Sequence, residues 1–200
     1  MLITIDGFHG IGKSSIAKIL AKELGIVYVD SGLIYRKFAY LYVLLFGFTD
    51  RIELTNVYKV MEIFDLNRLA GLHEEILRTT EITNITTVIA KERCVRSFVN
   101  DIILRLTCSK NAIVVGRDMC NIIWYADFKF LFHASDELRK KFAKRHQNDT
   151  DKNIMRSITE RDGNEIKVIY PRECIHIQLE DKPMKYIIDK LIMYIKKHCD

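Results

Sequence analysis

Gly7-Phe8-His9-Gly10-Ile11-Gly12-Lys13-Ser14 fits the pattern G-x-x-x-x-G-K-[ST], and its surroundings constrain the fold more than any other feature of the chain. Before it, Leu2 to Ile5 is a short apolar run ending in Asp6-Gly7, the form of a buried strand entering a turn. After it, Ser14 to Leu24 carries Ile16, Ile19, Leu20 and Leu24 at helical spacing, and Gly25 closes the helix. Ile26 to Val29 then reads as a second strand, stopped by Asp30-Ser31-Gly32. A strand, a helix and a strand in that order predict a parallel sheet with a right-handed crossover.

Glycines at these positions let the backbone curl so that successive N–H groups point inward, as a phosphate requires. The following helix adds its positive N-terminal end. Lys13 is placed to reach the β- and γ-phosphates of a nucleotide, and Ser14 to hold Mg²⁺. The candidate phosphate site is therefore Gly7, Phe8, His9, Gly10, Ile11, Gly12, Lys13, Ser14 and Ser15. His9 lies in the variable part of the loop and reads as a solvent-facing member of it.

The remaining sequence suits one compact α/β domain. At 200 residues the chain is too short for two independent ones. Apolar residues at 48% and charged residues at 28% exclude a disordered, collagen-like or coiled-coil chain. Lys and Arg number 31 against 26 Asp and Glu. The net charge of +5 is too small to imply nucleic acid but suits an anionic small molecule. The longest uncharged apolar stretch, Phe38 to Phe48, is well short of the roughly 20 residues needed to cross a bilayer. The opening residues show no basic leader, and the five cysteines lack any Cys-x-x-Cys pair. The expectation is a cytoplasmic protein with reduced thiols, no membrane and no nucleic-acid partner, and a monomeric state.

Further along, Leu33 to Phe46 and Thr55 to Leu69 read as helices, while Gly71 to Thr87 reads as loop or a short strand. Glu92 to Leu106 is a helix with Cys94, Phe98, Val99, Ile102, Ile103 and Leu106 in its apolar stripe. Ala112 to Val115, Phe128 to Phe132 and Cys174 to Leu179 are further strands. Ala134-Ser135-Asp136-Glu137 opens a basic helix from Leu138 to about His146, Ile154 to Glu160 is a short helix, and Met184 to Lys197 is a final amphipathic one.

A phosphate loop says that a nucleotide binds, not what happens to it. The second strand–helix junction, Asp30-Ser31-Gly32-Leu33-Ile34-Tyr35-Arg36, adds a hydroxyl, a phenol and a guanidinium at the sheet's carboxyl edge, where open α/β sheets bind ligands. Arg36 could clamp a second phosphate there. Taken with Thr87 to Arg96, Gly116-Arg117-Asp118, the Phe128 to Ser135 segment and Glu160-Arg161-Asp162, the chain resembles the bacterial-type cytidylate (CMP) kinases, a branch of the P-loop nucleoside monophosphate kinases. The resemblance implies a three-layer P-loop fold: a central parallel sheet flanked by helices, a small nucleotide-closing segment and a short helical lid. It divides the chain into a core of 1–46, 92–136 and 168–200, an acceptor-side segment of 47–91 and a lid of 137–167.

The resemblance further implies ATP and Mg²⁺ as cofactors and CMP or dCMP as the acceptor. Thr87, Arg96 and Asp118 would read the cytosine, because a carboxylate accepts from its amino group while an arginine donates to its ring carbonyl. Ser31, Tyr35, Arg36, Gly116, Arg117, Arg161 and Glu165 would complete the acceptor side. Lys13, Arg139, Arg145 and Arg161 would neutralise the transferring phosphoryl group, with Arg139, Lys140, Lys141, Lys144 and Arg145 forming the lid helix. Two departures stand out. Gly163 to Val168 lacks the family's second arginine unless Lys167 replaces it, and Cys120-Asn121 stands where the family usually carries Gly-Thr. Two other readings stay open: a P-loop kinase of another small acceptor, and a nucleotide-binding module without catalysis.

Overall fold

The structure is a computed structural model that describes residues 1–49, 51–108, 111–144 and 168–199. Its chain forms two compact units, Met1–Val29 with Ser109–Asp200, and Asp30–Cys108.

The first unit is built on five strands: β1 (Leu2–Gly7), β2 (Val27–Asp30), β3 (Ala112–Val115), β4 (Phe128–His133) and β5 (Ile175–Gln178). They form one parallel sheet in the order β2-β3-β1-β4-β5, which puts the strand leading into the phosphate loop at its centre. Every residue of β1 is buried, as expected for a parallel strand covered on both faces. Side chains alternate between those faces. Ile3 and Ile5, with Phe128, Phe130 and Phe132 of β4, pack against Ile16 and Leu20 of α1 (Lys13–Leu24). Ile188 and Leu191 of the C-terminal helix join the same core. On the opposite face, Leu131 of β4 meets Cys120 and Cys174. Asp6, one residue beyond Ile5, points to that second face.

The second unit is helical: α2 (Ser31–Phe46), α3 (Leu54–Ile63), α4 (Glu74–Leu77), α5 (Thr80–Ile89) and α6 (Arg93–Leu106). It takes in 31–46 and 92–108 as well as the expected acceptor-side segment. Phe38, Phe64 and Phe98 form an aromatic trio with centroids 5.6–6.0 Å apart. That spacing is within the range in which ring pairs add to burial.

Three expectations change here. Gly71 to Thr87, expected as loop or a short strand, instead carries α4 and most of α5, with turns at 71–73 and 78–79. Its threonines are what conceal the helix, since β-branched residues weigh against one in isolation. Thr79 instead caps α5 by accepting from the Ile82 N–H, and Thr86 and Thr87 donate back to the Ile82 and Thr83 carbonyls. Ile82, Ile85 and Ile89 then share one buried face. The expected helix from Thr55 to Leu69 stops at Ile63, where Phe64 turns extended and Asp65 accepts from the Asn67 N–H. The inward line of α6 is Val95, Val99 and Ile103, and Leu106 is exposed.

Returning to the first unit, α7 (Met119–Ile122) follows β3, α8 (Asp136–Lys144) follows β4, and α9 (Met184–Lys197) closes the chain. Ser135 caps α8 by accepting from the Leu138 N–H at 3.3 Å. The expected helix at 154–160 and the rest of the lid lie outside the described residues. No helix among the described residues is long and apolar enough to cross a membrane.

Candidate active site

Gly7, Gly10 and Gly12 have φ of +140°, +77° and +81°, conformations that L side chains rarely adopt, and these bend the loop back on itself. Gly12 is the N-cap of α1, so Lys13, Ser14 and Ser15 lie in the helix's first turn. N–H groups there have no carbonyl to pair with inside the helix, which makes such a turn a natural anion cradle. Lys13 Nζ donates to the Gly7 and Phe8 carbonyls, both at 2.6 Å. The ammonium is thus folded over the first half of the loop.

Arg139 comes to the same loop from α8. Its Nε and one terminal nitrogen donate to the His9 carbonyl at 3.1 and 2.9 Å, and its guanidinium carbon lies 5.6 Å from the centre of the Phe8 ring. Asp136 pairs with the other terminal nitrogen at 3.4 Å. A charge this deeply buried needs such partners. The basic helix is not uniform, because Lys141 turns to Asp181, with both carboxylate oxygens within 2.7 Å. Arg145, Arg161, Glu165 and Lys167 lie outside the described residues, and of the Lys144 side chain nothing is described.

Asp6 links this loop to the next strand end. Its two carboxylate oxygens accept from the Met119 N–H at 3.0 Å and the Cys120 N–H at 2.8 Å. Burial pushes its carboxyl above the usual carboxylate range, against the opposing pull of those two donors, the Cys120 thiol and the Lys13 charge. One carboxylate therefore fixes the Gly116-Arg117-Asp118 turn to the strand that carries the phosphate loop. The sequence offered Asp6 only as a turn residue. Its fully buried position, with α7 over it, is what identifies the role.

Around that turn, Gly116 is buried, Arg117 exposed and Asp118 half-buried. Tyr170 donates its hydroxyl proton to the Arg117 carbonyl at 2.7 Å, and Asn121 donates to Asp118 Oδ1 at 2.6 Å. Cys120 and Cys174 sit behind it, where burial pushes both thiols up and keeps them protonated. A thiol reagent is accordingly expected to label Cys108 and Cys199, which are exposed, in the native protein. Cys120 and Cys174 should resist until denaturant is added, as mass mapping of the labelled peptides would show.

In the second unit, Asp30 caps α2 by accepting from the Leu33 N–H at 3.3 Å, and Gly32 leaves room for that carboxylate. Ser31 is buried, and Tyr35 and Arg36 are half-buried one turn on. One Arg36 nitrogen donates to the Leu77 carbonyl and to Thr83 Oγ1, both at 2.8 Å. Thr87 Oγ1 donates to the Thr83 carbonyl at 3.0 Å. Thr83 is therefore the residue that joins Arg36 and Thr87. Sequence reasoning missed it because its spacing from Thr87 has meaning only once α5 is a helix. Arg96 is half-buried on α6 beside the inward Val95. Among the described residues, no group of three or more His, Cys, Asp or Glu could hold a metal ion.

The family profile described as cytidylate kinase matches residues 3–197. The chain belongs to the cytidylate kinase family. Relatives of that family include the cytidylate kinase of Clostridioides difficile, 27% identical over 217 residues with 98% of each chain covered. That of Clostridium tetani is 28% identical over 214 residues, covering 98% of this chain and 94% of its own. A gluconokinase from Sinorhizobium meliloti superposes with a TM-score of 0.52 at 11% identity, covering 98% of this chain and 91% of its own. At that identity the likeness speaks for the fold alone, a P-loop kinase fold.

Proposed function

We propose that this cytidylate kinase family member transfers the γ-phosphoryl group of ATP to CMP or dCMP, giving ADP and the corresponding diphosphate. The observation that carries the reading is Asp6. It ties the Gly116-Arg117-Asp118 turn to the phosphate-loop strand by two hydrogen bonds, so a nucleotide cradle and a base-reading carboxylate hang from one sheet edge. Loop and helix residues fit a triphosphate: three glycines take positive φ, the loop opens a helix, and Lys13 supplies a cation.

An acceptor phosphate oxygen attacks the γ-phosphorus in line. The new O–P bond forms as the bond from γ-phosphorus to the β–γ bridging oxygen breaks, and ADP leaves. Ser14 is the side chain that would hold Mg²⁺, which when bound would supply neutralisation of phosphate charge. Lys13, Arg139, Arg145 and Arg161 are the cations for the transferring group, and exclusion of water keeps the phosphoryl from hydrolysis. Asp118 accepts from the cytosine amino group, with Thr87 and Arg96 as donors to the ring. Ser31, Tyr35, Arg36, Gly116, Arg117, Arg161 and Glu165 belong to the acceptor side. Uracil would leave the Asp118 carboxylate facing a carbonyl, which disfavours it.

A coupled ADP-release assay over CMP, dCMP, UMP and AMP tests the proposal. Turnover is expected on the cytidine nucleotides, and Asp118→Ala should raise the CMP KM by about tenfold or more while leaving ATP binding intact. Turnover on another acceptor alone would favour a different P-loop kinase. Normal ATP affinity without transfer to any acceptor would favour a non-catalytic module.

A further inference from the structure

Asn121 stands where the family usually carries a threonine, and its placement gives that change a meaning. It lies one turn after Asp118 on α7. Its Nδ2 donates to Asp118 Oδ1 at 2.6 Å and to the Ile169 carbonyl at 3.1 Å. Both partners can only accept, so the side-chain amide has one workable orientation. Both protons of one NH₂ group are spent, one on the carboxylate and one on a backbone anchor forty-eight residues further along.

That arrangement does two things to Asp118. It takes up Oδ1, and among the described residues none donates to Oδ2. It fixes the plane of the carboxylate from a side chain that is itself tied to backbone. The backbone beneath is held independently, by Asp6 at the Met119 and Cys120 N–H groups and by Tyr170 at the Arg117 carbonyl. Loss of the Asn121 amide should therefore disturb the aim of the carboxylate more than the course of the chain.

We infer that Asn121 is a specificity-determining positioning residue: its amide clamps Asp118 so that one carboxylate oxygen is presented to the amino group of the acceptor base. The inference rests on the cytidylate reading above and deepens it.

The test compares wild type with Asn121→Ala, Asn121→Ser and Asn121→Asp, using CMP and UMP as acceptors and ATP as donor. For Asn121→Ala the CMP KM is expected to rise about tenfold, the loss of one charge-assisted hydrogen bond. The ATP KM and kcat should stay within about twofold, and the CMP-over-UMP preference in kcat/KM should fall. Asn121→Ser keeps a shorter donor and should fall between; it also serves if the alanine variant fails to fold.

Asn121→Asp gives the sharpest signature. At low pH the new carboxyl can keep a proton and donate to Asp118, so CMP binding is retained. As pH rises and that proton leaves, two carboxylates face each other and the CMP KM climbs, a rise that the wild type, which has no second carboxyl at this place, should lack. A merely structural residue would move ATP and CMP parameters together and give no such pH dependence. Wild-type activity on CMP with an unchanged CMP KM and base preference in folded Asn121→Ala or Asn121→Ser overturns the inference alone. Wild type that does not use CMP overturns the cytidylate reading and the inference with it.

Discussion

Lys13→Ala is expected to lower kcat by about 10³-fold or more while leaving the chain folded, since positioned cations on a transferring phosphoryl group are worth that much. The ammonium lies at the start of α1 and reaches back to two loop carbonyls at 2.6 Å, so it is held over the first half of the loop. Those two bonds are partly solvated, and their loss should cost stability only about 1 kcal/mol. Lys13→Arg should rescue little, because a planar fork does not reproduce a compact point charge in so tight a turn. The variant also carries a pH signature through Asp6, whose carboxyl burial raises and the Lys13 charge pulls down. Removing Lys13 raises it further. A carboxyl whose folded value exceeds its unfolded one binds more protons in the folded state, so stability falls as pH rises between the two values. The variant's window extends further upward, and its stability deficit against wild type should grow with pH. Single-turnover kinetics, ATP titration and urea melts at several pH values check this. A kcat within tenfold of wild type would remove Lys13 from the chemistry.

What could be read from the chain beforehand follows how local each signal is. The phosphate loop was legible because its pattern, strand and helix are contiguous, and α9 was legible because its apolar spacing is regular. α5 was not, since its threonines become helix-compatible only through caps and back-bonds to carbonyls. On α6, Val99 and Ile103 were legible as inward residues but Val95 was not, because several apolar stripes compete there and only packing partners choose. At the candidate site, residue types such as Asp118 and Arg36 could be named, but not their supports. Asp6 to Met119 spans 113 positions and Asn121 to Ile169 spans 48. Contacts that long leave no trace in local spacing.

Gly7→Ala should have the largest effect on the scaffold, and two separate reasons point the same way. Gly7 ends β1 with φ +140°, where an alanine is strained whatever the space around it. Space is also lacking: a Cβ there would stand 2.5 Å from the Phe132 carbonyl oxygen and 2.6 Å from Ile11 Cδ1. Phe132 is the register partner of Gly7 in β4, so its carbonyl cannot withdraw without opening the centre of the sheet. Ile11 is itself buried and has little room to turn. Strain and crowding together should cost about 3 kcal/mol or more. Such protein as folds should bind ATP weakly, because the loop's first bend has moved. Gly25→Ala is the control. It too has positive φ, +65°, but a Cβ there meets nothing within 4 Å. It should cost only about 1–2 kcal/mol and leave turnover unchanged. Urea melts with ATP titrations on both variants separate the two contributions. Equal destabilisation by the two alanines would mean that the close approach of β4 to the loop does not constrain position 7.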